Sequence, residues 1–226
     1  MTRVGFHEEL EQTELELLSL GELAGTAVQR AVEALIQHDD DKAQAVIDAD
    51  DQIDDLYIKI DGGVLQMLAL QSPVAADLRL ISAILHCDLH LERIGDQAVN
   101  VAKMYLWTKD ARGSEGMRQQ IEEMGTLVVA MVRTSMESFG RRDLDLALKV
   151  PTMDDPVDRL NRNTHLEALK LADDPSQLDW GLHMNMAARA LERVGDNAVD
   201  IAEQVGFLLT GEFREFTDAS HPVVME

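Results

Sequence analysis

DLRLISAILHCDLHLERIGDQAVNVAK, residues 77 to 103, is the stretch whose reading decides the fold. Asp88, Glu92 and Asp96 recur four residues apart in a segment otherwise rich in Leu, Ile, Val and Ala. On an α-helix turning about 100° per residue, such positions share one side across about two turns. On a helical wheel centred on Ile81, the residues Ile84, Leu85, Gly95, Val99, Ala102 and Leu106 fall within roughly 60° and form an apolar stripe. Asp88 and Glu92 lie inside that stripe, about 20° to either side of its centre. Arg79, His86, His90, Arg93 and Gln97 gather on the opposite face. A carboxylate stays charged in a core only where a cation or strong donors replace its lost hydration. Something must therefore meet these acids.

The stretch returns later in the chain. Shifted by 100 residues, LERIGDQAVNVA (Leu91 to Ala102) lies on LERVGDNAVDIA (Leu191 to Ala202), with eight identities in twelve. Shifted by 104, Asp50, Asp51, Asp54 and Leu56 fall on Asp154, Asp155, Asp158 and Leu160. Two registers that keep the same order of elements indicate duplication of a three-helix unit. No segment alternates with a strand period, and a 4% aromatic content with abundant Ala and Leu suits helix packing. The expected fold is all-α: two pseudo-symmetric three-helix bundles, six long helices in all.

Boundaries follow from breakers and caps. Apolar residues spaced three and four apart predict a first helix over 7–37, with acids early. Asp39, Asp40 and Asp41 offer a break and a cap. A second helix is expected over 41–70, where Gly62 and Gly63 permit a bend or close packing. Ser72 reads as a cap with Pro73 at the first helical position of the key helix, which ends near 107. Lys109 to Gly116 reads as a linker. Helix four spans 117–139, helix five 143–171 interrupted by Pro151 and Pro156, and helix six 176–210, ended by Gly211. Residues 1–110 and 111–212 then form the two repeats, and 213–226 a tail.

Composition narrows the function. With 20 Lys and Arg against 42 Asp and Glu, the 226-residue chain carries a formal charge of −22. Such a field repels a phosphate backbone, so nucleic acid is not an expected partner, whereas cations and basic protein surfaces are. The single cysteine, Cys87, fits a reducing compartment and reads as a small core residue. No run of 18 apolar residues exists, so no membrane span is expected and the chain reads as cytoplasmic.

The acids carry the chemistry. If the second and third helices pack antiparallel after a short turn, the region of Asp54 faces that of Glu92. Asp50, Asp54, Asp88, Glu92 and Asp96 then converge in the first half, and Asp154, Asp158, Glu192, Asp196 and Asp200 in the second. Four or five carboxylates in one space need a counter-ion, and all-oxygen sets suit hard ions such as Mg, Mn, Ca or Fe. The plainer reading is a solvated acidic face partnered by Arg93 and Arg193. The second half is less regular: Ala188 stands where Asp88 did, Asp200 replaces Asn100, and Pro156 makes Asp154 a candidate helix cap as well as a candidate ligand. His86 and His90 read as surface residues, not zinc ligands. None of the seven histidines follows a Glu by three, as a di-iron carboxylate site on a bundle requires. A metal-dependent hydrolase or redox enzyme using these acids is therefore only the alternative reading.

SPVAADLR (Ser72 to Arg79), the tandem LERIGD and LERVGD, and the doubled three-helix plan together resemble the PhoU family of phosphate-signalling regulators. That resemblance implies a cytoplasmic, often dimeric protein that couples the phosphate ABC transporter ATPase to a sensor histidine kinase. It would hold the phosphate-starvation response off when phosphate is ample. The resemblance further implies metal binding by E/D-x-x-x-D motifs. These map here onto Asp50 and Asp54, Glu92 and Asp96, Asp154 and Asp158, and Glu192 and Asp196. The cofactors expected are divalent or trivalent ions, Mg, Mn, Fe or Zn.

Overall fold

The computed structural model describes residues 3–111 and 113–216. Residues 217–226 of the expected tail lie outside the described residues. Within them the chain is all-α, built from helices α1 (Arg3–Gln37), α2 (Asp40–Asp48), α3 (Asp50–Gln71), α4 (Ala76–Thr108), α5 (Glu115–Arg141), α6 (Leu144–Lys149), α7 (Asp154–Leu169) and α8 (Pro175–Thr210). A 3-10 turn, Val150–Met153, joins α6 to α7.

Four long helices, α1, α4, α8 and α5, pack each on the next and close a ring. Helix α3 lies against α1 and α4, and α7 against α5 and α8, so each half contributes two ring helices and one flanking helix. Between the halves, α4 with α8 and α1 with α5, neighbours run antiparallel, whereas within each half α1 with α4 and α5 with α8 run parallel, as His7 beside Asp77, Asp40 beside Tyr105 and Arg118 over Trp180 require. Trp107 at the end of α4 meets His183 near the start of α8, and Arg79 near the start of α4 lies against Gly211 just past the end of α8. The apolar stripes read from the sequence all turn inward: Leu17, Leu20, Ile81, Ile84, Leu91, Ile94, Ile121, Phe139 and Leu191 are fully buried in a core continuous through both halves. Each such side chain contributes about 1.5–3 kcal/mol by leaving water. Cys87 is part of that core, and burial drives its thiol pKa far up.

Local chemistry sets the ends. The Asp39 carboxylate accepts from the Lys42 N–H at 2.9 Å, and Asp174 accepts from the Ser176 N–H at 2.9 Å with Pro175 opening α8. Each cap contributes about 1 kcal/mol. Gly211 closes α8 at φ +77°, a conformation that suits glycine.

Three local expectations need correction. Ser72 and Pro73 do not start the key helix. Ser72 instead ends α3 in the left-handed region, and α4 begins only at Ala76 after a turn in which Ala75 also has positive φ. A proline forbids the residue before it from continuing a helix, and here that restriction falls on the end of α3. Gly62 and Gly63 lie within one continuous α3 and admit no close neighbour, since a Cβ at either would meet nothing within 4 Å. The expected second helix is broken at Ala49, so that Asp50 opens a new helix, α3. In the second half the break falls on Val150–Met153, so that Asp154 opens α7. Acids in a first helical turn are favoured by the helix dipole. Pro156 sits in that same turn, where its missing N–H is one that no helical carbonyl requires.

Candidate functional site

Each hairpin, α3–α4 and α7–α8, gathers four carboxylates. In the first, Asp50 and Asp54 project from the opening turns of α3 toward Glu92 and Asp96 on α4. Burial raises the Asp50 pKa, and the charges of Asp54 and Asp96 raise it further, against the pull of Lys103. Glu92 is raised by burial and then by Asp96, Asp54 and Asp50, with Arg93 opposing. In the second, burial and the charges of Asp158 and Asp196 push Asp154 up to about 6. Glu192 goes up to about 7 through burial, Asp196, Asp158 and Asp154, with Arg189 opposing. Asp196 is raised by burial of its carboxyl, against Arg189 and Arg193 and with Asp158 and Asp200. In each cluster the neighbouring carboxylates raise the more buried members, Asp50 and Glu92 in the first and Asp154, Glu192 and Asp196 in the second, which only close approach produces.

The clusters differ in depth. Asp54 and Asp96 are exposed, and Asp50 and Glu92 half-buried. Glu192 is 7% exposed, Asp154 and Asp158 are half-buried, and Asp196 alone is exposed. The second cluster, irregular in sequence, is thus the more enclosed. Its cations stand at the edge: Arg189 pairs with one oxygen of Glu192, and Arg162 with Asp158 at 3.3 Å. The other oxygen of Glu192, Oε2, and Oδ1 of Asp154 are buried with no hydrogen-bond partner. Asp154 is accordingly not a cap. The residue before α7 is Met153, and no side chain caps that end.

A glycine makes room for each cluster. At Gly195 a Cβ would stand 2.9 Å from Asp154 Oδ1, and at Gly95 it would stand 2.9 Å from Ile53 Cδ1 and 3.5 Å from Asp50 Oδ1. Only the absence of a side chain at these positions of LERIGD and LERVGD lets the first turn of α3 or α7 come so near. The sequence reading placed Gly95 in the apolar stripe and missed this role. The signal was present, because the glycine recurs between the same acids in both repeats. Arg189 was missed for the opposite reason: the repeat offers Leu89 at its place.

Two predicted members stand apart. Asp88 is buried at 1% exposure, but its charged neighbour is Asp61, one helical turn beyond Tyr57, toward the hairpin tip. Its Oδ1 accepts from the Leu89 N–H at 2.7 Å, Oδ2 has no partner, and burial pushes its pKa up to about 7. Asp200 faces α4, with its carboxylate 3.4 Å from His90 Nδ1. His90 also hydrogen-bonds Asn197 at 2.8 Å across the α4–α8 contact. It is therefore a half-buried contact residue and not the surface residue expected, while His86 is exposed as expected.

The donor set tests which ligand would fit. Hard cations take carboxylate oxygens, and two buried oxygens in the second cluster lack any partner. Among the described residues, no group of three or more His, Cys, Asp or Glu is closed tightly enough to hold an ion as it stands. The acids are gathered around a space but not drawn onto one point, as mutual repulsion dictates. They fit a cation in kind, and binding one would require them to close.

Known proteins share this fold. A sequence model of the PhoU domain matches residues 17–104 and again 121–205. The chain is 37% identical over 217 residues to the phosphate-specific transport system accessory protein PhoU homolog of Pseudomonas aeruginosa, covering 96% of this chain and 88% of that one. It is 32% identical over 220 residues to the protein so named in Clostridium acetobutylicum, covering 96% and 100%. The crystal structure of PhoU from Pseudomonas aeruginosa superposes with a TM-score of 0.87 at 38% identity, over 92% of this chain and 100% of that one. That of the phosphate transport system regulatory protein PhoU from Streptococcus pneumoniae gives 0.85 at 28% identity, over 92% and 99%.

Proposed function

The chain belongs to the PhoU family, and from that premise we propose that it is a metal-binding adaptor in the regulation of phosphate uptake. It acts in phosphate transport regulation, as the names of its relatives indicate, and those names describe accessory and regulatory proteins, not enzymes. In the finer reading it docks on the ATPase of a phosphate ABC transporter and on a sensor histidine kinase in the cytoplasm, as a homodimer. It holds the starvation response off when phosphate is ample. Among the described residues no helix is long and apolar enough to cross a membrane.

One observation carries the metal part: the same four-acid arrangement recurs in both halves, and in the second it leaves Asp154 Oδ1 and Glu192 Oε2 buried without partners. Asp50, Asp54, Glu92 and Asp96 would hold one cation or cluster, and Asp154, Asp158, Glu192 and Asp196 another, of Mg, Mn, Fe or Zn. A bound cation would neutralise the carboxylates and lock each flanking helix to its ring helix. Elemental analysis of protein purified without an affinity metal, beside Glu92→Ala and Glu192→Ala, tests both clusters. Each variant should lose the metal of its own half. Metal-free wild type that still captures transporter and kinase would remove the ion from the mechanism, and recovery of neither partner by folded protein would remove the adaptor.

A further inference from the structure

Residues 62–76, GGVLQMLALQSPVAA, are the longest run in the chain without Asp, Glu, Lys or Arg, in a sequence of which 27% is charged. They form the end of α3, the turn and the first residue of α4. This tip is also apolar and open: Leu65 is 55% exposed, Leu70 60% and Val74 65%, with Leu78 at 47% just beyond. Exposed apolar groups gathered at one end of an acidic protein mark a surface that something covers.

The duplicate hairpin supplies the contrast. Its tip exposes Leu166 and Leu169 to a similar degree, but Glu167 and Lys170 stand beside them in an ion pair, and Asp173 and Asp174 follow in the turn. Covering that tip would strip water from charges, which is costly. Covering the α3–α4 tip strips water from none, and interface centres are depleted in charge for that reason. The repeats have therefore parted at this end: one tip is built to stay wet and the other to be covered.

The rim around the uncharged tip decides what covers it. Asp61 precedes it and Asp77 follows it, with Arg79 against Gly211 beyond, and His7 Nε2, 3.9 Å from Asp77, brings the start of α1 with Glu8 and Glu11 to the same end, so the acids outnumber the cation. A second copy docked tip to tip would set this acidic rim against itself, and an anionic lipid surface would repel it. An apolar cleft bordered by Lys and Arg on another protein complements both the centre and the rim. We propose that the α3–α4 tip is the surface by which the chain docks on the phosphate transporter's ATPase, with Leu70 and Val74 entering an apolar cleft bordered by basic side chains. This rests on the adaptor reading above and adds the place of contact.

The test uses the full chain against purified transporter with its ATPase subunits in zwitterionic nanodiscs, read by biolayer interferometry. The double variant Leu70→Ser, Val74→Ser should bind about tenfold or more weakly, as loss of two central anchors does, while Leu169→Ser in the other tip should match wild type. All three substitutions are at exposed positions, and unchanged helicity and melting temperature confirm folding. Equal binding by the double variant and wild type would overturn the tip and leave the adaptor standing, whereas no binding by wild type would overturn both. Wild type sedimenting with phosphatidylserine vesicles, but not after the double substitution, would assign the tip to lipid. A fall in mass on light scattering would assign it to a second copy. Either of these, with transporter binding intact, overturns the proposal.

Discussion

Glu192→Gln should stabilise the cation-free protein, and only at high pH. In the folded chain the Glu192 pKa is raised from 4.5 to about 7, by burial first and then by Asp196, while the side chain is 9% exposed. A carboxyl that keeps its proton to higher pH when folded adds stability below its unfolded pKa and loses that stability as pH rises through its folded one. Here the loss runs from about pH 4.5 to just above 7. At about 1.4 kcal/mol per pKa unit, the shift amounts to roughly 3 kcal/mol at pH 8, most of it lost above pH 5. Glutamine keeps the shape and cannot ionise. It forfeits the pairing with Arg189, whose own side chain is 55% exposed, so that loss is small. Thermal unfolding in chelator, followed by circular dichroism, should therefore place the variant about 5–10 °C above wild type at pH 8 and close to it at pH 5. Excess Mn²⁺ at pH 8 should raise wild type more than the variant. A variant whose stability falls with pH as steeply as that of wild type would refute the claim that this carboxylate is held in an unfavourable, ionised and uncompensated state.

The remaining predictions concern the glycine and the outlying acid. Gly195→Ala gains about 1 kcal/mol of helix propensity but sets a methyl 2.9 Å from Asp154 Oδ1; the first turn of α7 must retreat, so stabilisation by Mn²⁺ should vanish and the net melting temperature fall. Full Mn²⁺ stabilisation in that variant would count against a shared site. Asp88→Asn should leave the metal content of the purified protein unchanged. It should also raise stability at pH 8 by up to about 4 kcal/mol, because Asp88 is held at about 7 against a usual 3.8; urea unfolding at pH 5 and pH 8 measures the difference.

Helix positions and the facing of Asp54 by Glu92 were legible because periodicity and hairpin length are properties of the chain itself. A helical wheel gives an angle but no depth along the hairpin. Asp88 and Glu92 share the apolar stripe, yet Asp88 sits a turn nearer the tip, beside Asp61 and out of the cluster. Asp200 lies the same distance past Asp196 in the other direction and meets His90 on α4 instead. Breaks proved harder to read than faces. Nothing in AVIDADDQID forbids a continuous helix, yet the chain breaks at Ala49 and packs both α2 and α3 on α1 and α4. Ser72 and Pro73 carried a valid start signal that the end of α3 used first. The role of Gly95 and Gly195 needed the neighbouring helix to be in place.

Duplication produced two clusters of the same order, and burial has since made them different binding problems. A cation entering the second cluster must displace protons that Asp154 and Glu192 hold up to about pH 6 and 7. Binding there is coupled to proton release and weakens in acid. In the first cluster, where Asp54 and Asp96 are open to water, burial raises Asp50 and Glu92 less far, so these two ionise at lower pH than their counterparts. On the proposed reading the first half fills at a pH where the second is still protonated. The two sites would then answer different conditions: the open one the supply of cation, the enclosed one cation and proton together. Metal content measured from pH 5 to pH 8 in Glu92→Ala and Glu192→Ala separates the halves. The same pH dependence in both would mean that depth does not govern loading, and the asymmetry of burial would then belong to packing alone.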